Sequence, residues 1–274
     1  MKTLMLTILV TVVGGSSPTA EPTGKPNDDS ATYAMIVSGI SKDPTERQAK
    51  DKAVADFSRF LLDRAGVKPD RLGVLVHNGS PIRKDAKIST ADNIKEQVRT
   101  FAKVIAPEDR FIFYYVGQAN IVQDKLRLNL PGVDITHEQL AEWMNGLKVS
   151  SMLIVLDCPG AEMAVRMLTG PDRVIIGACT AEQRYSTRFS QYFVPALSDD
   201  KSDADGDGKI SALEAFNLAY KQLDELYRGQ GLLKTETPVM EDDGDGTPSQ
   251  EPWRHEQDKT DGAAAARLFL SGKS

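Results

Sequence analysis

This sequence has no excess of positive charge, no apolar run long enough to span a membrane and no internal repeat. Its 274 residues carry 33 Lys and Arg against 39 Asp and Glu, which gives a net charge of −6. The lack of excess positive charge argues against nucleic acid or an anionic membrane surface as a partner. The most apolar stretch, Leu4–Val13, is about half the length that a membrane-spanning helix needs. With no internal repeat and 41% hydrophobic residues, the chain is expected to be a globular protein of one or two domains.

The apolar stretch at the N-terminus is typical of a secretory signal. A lysine gives it a positive start, and small, turn-prone residues follow it. We expect a signal peptide over residues 1–20 that is cleaved after Ala20, or after Ser16 or Ser17, with an uncleaved anchor as the alternative. No cysteine lies near this junction, so a lipoprotein anchor is not expected. The predicted location is extracytoplasmic, in the periplasm or secreted, with no membrane contact after cleavage.

From Tyr33 onwards, short apolar runs alternate with amphipathic segments of helical period. The predicted strands are Tyr33–Ser38, Arg71–His77, Arg110–Val116, Ser151–Leu156 and Arg173–Ala178. The predicted helices are Glu46–Ala65, Thr90–Ala106, Thr136–Leu147, Ala161–Leu168, Phe189–Leu197 and Ala212–Tyr227. Continuous apolar strands that alternate with helices predict an α/β fold, a three-layer sandwich with a mainly parallel sheet. In such sheets, chemistry sits beyond the carboxyl ends of the strands.

The predicted folded domain covers residues 33–250. Residues 21–32 are rich in Pro and Asp and are expected to form a disordered lead-in. Residues 251–274 are expected to form a C-terminal tail, in which Ala263–Leu270 is the candidate for a short docking helix.

The most specific pattern is the run D-A-D-G-D-G-K-I-S-A-L-E at residues 203–214. Carboxylates at positions 1, 3 and 5, a glycine at 6 and a glutamate at 12 are the pattern of an EF-hand loop, which binds calcium through oxygen atoms. The predicted ligands are Asp203, Asp205, Asp207, Lys209 through its backbone carbonyl, Ser211 and Glu214. The flanking helices complete a predicted EF-hand helix–loop–helix. The alternative is an Asp- and Gly-rich surface turn that binds no metal.

A second acidic turn follows at residues 242–246, D-D-G-D-G. It lacks the later glutamate that closes an EF-hand loop. Asp243 and Asp245 are candidates to bind a cation of their own or to complete the first site. The alternative is a solvated turn.

Two strand ends and several other segments resemble one known family. Phe111–Ala119 reads F-I-F-Y-Y-V-G-Q-A, and Ile154–Ala161 reads I-V-L-D-C-P-G-A. With N-L-P-G-V-D-I-T between them and R-V-I-I-G-A-C-T-A after them, their order resembles the caspase-like cysteine peptidases, of the legumain and metacaspase type in secreted bacterial proteins. The resemblance covers about Tyr33 to Gly246. It implies a caspase-like sheet, a histidine base at the end of the first of these strands and a cysteine nucleophile at the end of the second.

The sequence departs from the family at both catalytic positions. Gln118 stands where the family has its histidine, and an amide cannot take a proton from a thiol near neutral pH. Cys158 follows Asp157 directly, whereas the family places one residue between them, so Pro159 fills the slot of the nucleophile. We therefore expect a pseudoenzyme, a calcium-binding module for an unknown protein partner.

Two other functions stay open. One is a weak cysteine endopeptidase that uses Cys158, with Gln118 hydrogen-bonded to the scissile carbonyl. The other is a structural protein in which calcium only stabilises the fold.

The three histidines are poor candidates for the base, and the two cysteines are considered as a pair. His77 ends a strand that the family topology places at the far edge of the sheet, His137 is expected to face solvent in the first turn of a helix, and His255 lies in the polar tail. The family order places Cys158 and Cys179 at the ends of neighbouring strands. They are expected to be two buried thiols, with a disulfide as the alternative.

Overall fold

The computed structural model describes residues 30–77 and 82–272. The predicted signal peptide and most of the predicted lead-in lie outside these residues. Within the described ranges, no helix has the length and apolar character needed to cross a membrane.

The centre of the fold is a seven-stranded sheet. Its strands are β1 (Thr32–Ser38), β2 (Leu72–Val76), β3 (Lys87–Ile88), β4 (Arg110–Val116), β8 (Ser151–Asp157), β9 (Arg173–Gly177) and β11 (Val239–Glu241), and β5, β6, β7, β10 and β12 lie elsewhere. The order across the sheet is β11-β9-β8-β4-β1-β2-β3. Only the pairing of β11 with β9 is antiparallel. This confirms the predicted α/β fold with a mainly parallel sheet.

Helices cover the sheet on both faces, because its strands carry buried apolar side chains on both sides. The helices are α1 (Pro44–Asp63), α2 (Ala91–Ala102), α3 (His137–Asn145), α4 (Glu162–Leu168), α5 (Ser190–Ala196), α6 (Ala212–Gly229) and α7 (His255–Asp258). The buried residues of α1, α5 and α6 pack in one core, and those of α2, α3 and α4 pack in the other.

Two helix starts match the local signals in the sequence. The hydroxyl of Thr136 accepts a hydrogen bond from the backbone N–H of Gln139, and the side chain of Gln139 accepts one from the N–H of Thr136. This is a capping box, which satisfies two N–H groups that a helix start leaves unpaired. Thr90 caps α2 in the same position, as expected.

A small antiparallel sheet that the sequence analysis did not predict follows β4. It consists of β5 (Ala119–Val122), β6 (Lys125–Leu128) and β7 (Ile135–Thr136). The turn between β5 and β6 is Gln123–Asp124, and both residues have positive φ. Such a two-residue turn usually contains Asn-Gly or Asp-Gly, and this sequence lacks that signal.

The C-terminal segment docks, but not through the short α-helix that we expected. Ala265–Arg267 forms one 3₁₀ turn, and β12 (Phe269–Gly272) then pairs antiparallel with β10 (Lys209–Ser211). Since β10 belongs to the acidic run at 203–214, the end of the chain is attached directly to the predicted cation loop.

Candidate functional sites

The first candidate site is the acidic loop at residues 203–214. It lies between α5 and α6, which pack together through Phe189 and Phe216, with ring centroids 6.0 Å apart. The helix before the loop ends at Ala196, one residue earlier than predicted, and a separate 3₁₀ turn at Asp200–Ser202 leads into the loop. The helix after the loop starts at Ala212, as predicted.

Three of the predicted ligands converge in this loop. One carboxylate oxygen each from Asp203, Asp205 and Glu214 lies within 4.8 Å of the others. Oδ2 of Asp203 accepts a hydrogen bond of 3.0 Å from the N–H of Gly208, which has a φ of +82°. A residue with a Cβ rarely adopts that conformation, which explains the glycine at this position. Oδ1 of Asp203 is buried and has no hydrogen-bond partner among the described residues.

Glu214, the last residue of the loop, is hydrogen-bonded to the second residue of the loop. Its Oε1 accepts a hydrogen bond of 2.9 Å from the N–H of Ala204. Its Oε2 accepts hydrogen bonds of 2.8 Å from both the N–H and the hydroxyl of Ser211, in a capping box that starts α6. The carboxylate of Glu214 therefore lies between the first and last residues of the loop.

Besides Ser211, two of the six predicted ligands, Asp207 and Lys209, lie outside the converging group. Asp207 is outside the converging group, and its Oδ1 accepts a hydrogen bond of 2.8 Å from the N–H of Lys209. The ammonium of Lys209 lies 4.9 Å from the ring centroid of Phe269, so it turns away from the carboxylates. In the described part of the chain, no Lys or Arg forms an ion pair with the three converging carboxylates. The donor set is entirely oxygen and negatively charged, which suits a hard metal cation.

A second group of three carboxylates lies at the end of β11. The structure brings Asp243 and Asp245 together, as the sequence suggested, but the third member is Glu241, which we did not predict. Glu241 is fully buried, whereas the two aspartates are exposed.

Gln118 and Cys158, the two residues singled out by the resemblance, follow the ends of β4 and β8. The amide nitrogen of Gln118 donates hydrogen bonds to Oε2 of Glu46, at 3.0 Å, and to the hydroxyl of Ser186, at 2.5 Å. These contacts hold its side chain against α1. Cys158 has no exposed surface, and burial raises the pKa of its thiol well above the usual value, an effect that Cys179 and Asp157 increase.

The two cysteines are free thiols in adjacent strand ends. The thiol of Cys179 contacts the carbonyl oxygen of Cys158, at 3.3 Å. Burial raises the pKa of Cys179 to about 12. A thiol is nucleophilic as the thiolate, so neither cysteine is primed for attack in this arrangement.

A cavity of about 300 Å³ lies beside these strand ends, between α1 and the segment 186–191. Three of its lining side chains are more than nine-tenths buried, and each has a polar atom without a hydrogen-bond partner among the described residues. These atoms are Nζ of Lys50, Oδ1 of Asp157 and Oγ1 of Thr187. Nζ of Lys50 lies 3.7 Å from Oε2 of Glu46. Buried polar atoms are normally paired, so this cavity is suited to a polar ligand or ordered water.

None of the three histidines lies where it could act as a base for Cys158. His77 follows β2, and β1 and β4 lie between β2 and β8, which separates the strands by about 14 Å. Our prediction for His137 was wrong, since this residue is buried and its Nδ1 lies 3.4 Å from the carbonyl oxygen of Leu126 in β6. His255 starts α7, where its Nδ1 lies 3.0 Å from the carbonyl oxygen of Pro252.

No family model and no curated protein matches this sequence.

Proposed function

We propose that this protein is an extracytoplasmic calcium-binding protein on a caspase-like scaffold, without peptidase activity, that serves as a binding module for a protein partner. The observation that carries the proposal is the convergence of Asp203, Asp205 and Glu214, together with the buried Oδ1 of Asp203, which accepts no hydrogen bond from the described residues. Like charges at such distances repel one another, and a bound cation would remove that repulsion.

The choice of calcium follows from the ligands and the expected compartment. Calcium accepts six to eight oxygen ligands in a flexible arrangement, whereas magnesium requires a nearly octahedral one. The loop offers carboxylates, a backbone carbonyl and a hydroxyl in the EF-hand register. An extracytoplasmic protein meets calcium at concentrations that also fill weak loops of this kind.

The caspase-like scaffold is supported by the positions of Gln118 and Cys158. They follow β4 and β8, which are adjacent and parallel, as the resemblance requires of the base and the nucleophile. Cys158 and Cys179 likewise follow adjacent strands, and β2 lies towards the opposite edge.

The lack of peptidase activity is supported by the same residues. Gln118 cannot serve as a base, and its amide is already bound to Glu46 and Ser186. Cys158 is fully buried, with a thiol pKa well above the usual value. A weak peptidase would need Cys158 to become both exposed and ionised. The cavity lined by Lys50 and Asp157 supports a binding role, since it can accept a polar group of a partner.

Calcium-dependent thermal stability tests the proposal. A ligand present at 100 times its Kd stabilises the folded state by about 2.7 kcal/mol, which corresponds to about 5 to 10 °C in Tm for a protein of this size. We expect this shift in the wild type when about 1 mM calcium replaces a chelator. We expect a smaller shift in Glu214→Gln, because glutamine keeps the capping box but removes the chelating charge.

Glu225→Gln is the matched control, since Glu225 is an exposed residue of the same helix. Its shift should equal that of the wild type. A wild-type Tm that calcium does not change, or an equal shift in Glu214→Gln, would contradict the proposed site.

A further inference from the structure

Glu241 is a buried acid with one oxygen that nothing in the described structure satisfies. It is the last residue of β11, where it pairs with Ile175 of β9, and it has no exposed surface. Its Oε1 accepts three hydrogen bonds, from the hydroxyl of Thr169 at 2.6 Å and from the N–H groups of Gly244 at 2.8 Å and Gly246 at 3.2 Å. Its Oε2 is buried and accepts none from the described residues. A buried carboxylate oxygen that is ionised and unpaired destabilises the folded protein unless a cation neutralises it.

The protein does not supply that cation through an ion pair among the described residues. Arg173 is near enough for its pKa to respond to the charge of Glu241. Its guanidinium instead donates hydrogen bonds to Oδ1 of Asn145, at 2.7 Å, and to the carbonyl oxygen of Leu168, at 2.6 Å. The ion pairs found in the described part of the chain do not include Glu241.

The neighbours that do face Glu241 are two more acids. One oxygen each of Glu241, Asp243 and Asp245 lies within 4.8 Å of the others. The N–H of Asp245 donates to Asp243 at 3.0 Å, and the N–H of Thr247 donates to Asp245 at 2.6 Å. Both aspartates are therefore held on the same loop, beside the unsatisfied carboxylate.

This loop repeats the hydrogen-bond pattern of the first one. An acid accepts a bond from a glycine five residues later in both places, Asp203 from Gly208 and Glu241 from Gly246. Both glycines have positive φ, +82° and +75°. The second loop thus has the shape of the first half of the first loop, with glutamate in place of aspartate at its start.

We propose that Glu241, Asp243 and Asp245 form a second binding site for a divalent oxygen-preferring cation of the calcium class. Oε2 of Glu241 is the inner ligand, and the two exposed aspartates close the site from the solvent side. Water completes the coordination, because the protein contributes fewer oxygens here than calcium requires. The site is separate from the loop at 203–214 and does not need that loop to bind.

The site also has a structural link to the end of the chain. Both oxygens of Asp242 accept hydrogen bonds from the C-terminal segment, from the N–H of Gly262 at 2.8 Å and that of Ala265 at 2.6 Å. Oδ1 of Asp261 accepts one of 2.7 Å from the N–H of Asp242 in return. A cation that orders this loop therefore also holds the segment that leads to β12.

The test is the number of calcium ions bound per chain, measured by equilibrium dialysis against calcium alone. The wild type should bind two, and Asp243→Asn with Asp245→Asn should bind one. Because both aspartates are exposed, this variant is expected to fold. Glu241→Gln should bind the same ion with a Kd weakened by roughly tenfold or more.

The matched control is Asp63→Asn with Asp70→Asn, two exposed acids that belong to neither group of converging carboxylates, which should still bind two ions. Glu214→Gln should lose the other ion. If the first loop alone fails to bind, the wild type binds one ion that Glu214→Gln keeps and the Asp243 and Asp245 variant loses. If the Asp243 and Asp245 variant binds as many ions as the wild type with the same Kd, the second site does not exist.

Discussion

The buried acid Glu236 should make the stability of this protein fall as the pH rises towards neutrality. It is fully buried, and its two oxygens accept hydrogen bonds from the hydroxyl of Tyr227, at 2.9 Å, and from the N–H of Arg188, at 2.8 Å. Burial, assisted by the negative charge of Asp157, raises its pKa from 4.5 to about 7. It lies close to Asp157, which lines the cavity beside β4 and β8.

The direction and size of the effect follow from this pKa. Below pH 4.5, Glu236 is protonated in both the folded and the unfolded chain, so it does not lower the free energy of unfolding. Between pH 4.5 and about 7 the unfolded chain loses the proton first, so the free energy of unfolding decreases across this range. At about 1.4 kcal/mol per pH unit, the full loss is about 3 kcal/mol.

Glu236→Gln removes this dependence because glutamine does not ionise. The free energy of unfolding can be measured with urea in the presence of a chelator. Between about pH 4.5 and pH 8, we expect the difference between the variant and the wild type to change by about 3 kcal/mol in favour of the variant. Other acids with raised pKa values, such as Asp261, are present in both proteins and cancel in the difference. Glu225→Gln, an exposed control, should follow the wild type. Equal pH slopes for Glu236→Gln and the wild type would refute the reasoning.

Two further predictions concern the thiols and the C-terminal strand. Iodoacetamide should label Cys158 and Cys179 slowly in the folded protein and rapidly in urea, because both thiols are buried and protonated; labelling of Cys158 faster than a free exposed cysteine would favour the peptidase alternative. Removal of residues 269–274 takes away the strand that pairs with Lys209–Ser211. It should weaken calcium binding by roughly tenfold, and an unchanged Kd would show that this strand does not support the loop.

The sheet was predictable because its strands are continuous apolar runs. Arg110–Val116 has the bounds that we predicted, and the other predicted strands differ by one residue at one or both ends. A strand covered on both faces needs apolar residues throughout, and that pattern is visible in one sequence. The helix starts at Thr90 and Thr136 were predictable because capping is a local interaction.

What the sequence did not reveal depends on contacts between distant residues. His137 looked like a solvent-facing residue, but it is covered by β6, which lacks the usual turn signal and was not predicted. Glu241 stands just before the acidic turn and was not among the predicted ligands, but three residues of an edge strand carry it into the core. Such a short strand shows no period, so its burial could not be inferred. Of the candidate cation sites, the residue types were therefore predictable, but one central ligand was not.

The pairing of the chain end with the first loop was hidden for the same reason. The run Ala263–Leu270 indicated a short docking helix, and nothing in its sequence points to Lys209–Ser211 as a partner. Its attachment depends on the contacts of Asp242 and Asp261 with the backbone, which only the folded chain brings together.

The most direct measurement of the central claim is isothermal titration calorimetry of calcium into the wild-type protein and into Glu214→Gln. We predict saturable binding in the wild type, and loss of the component that belongs to Asp203, Asp205 and Glu214 in the variant. Glu225→Gln should titrate like the wild type. If the wild type produces no heat of binding, or if Glu214→Gln gives the same isotherm as the wild type, the loop at 203–214 is not a calcium site and the proposed function fails.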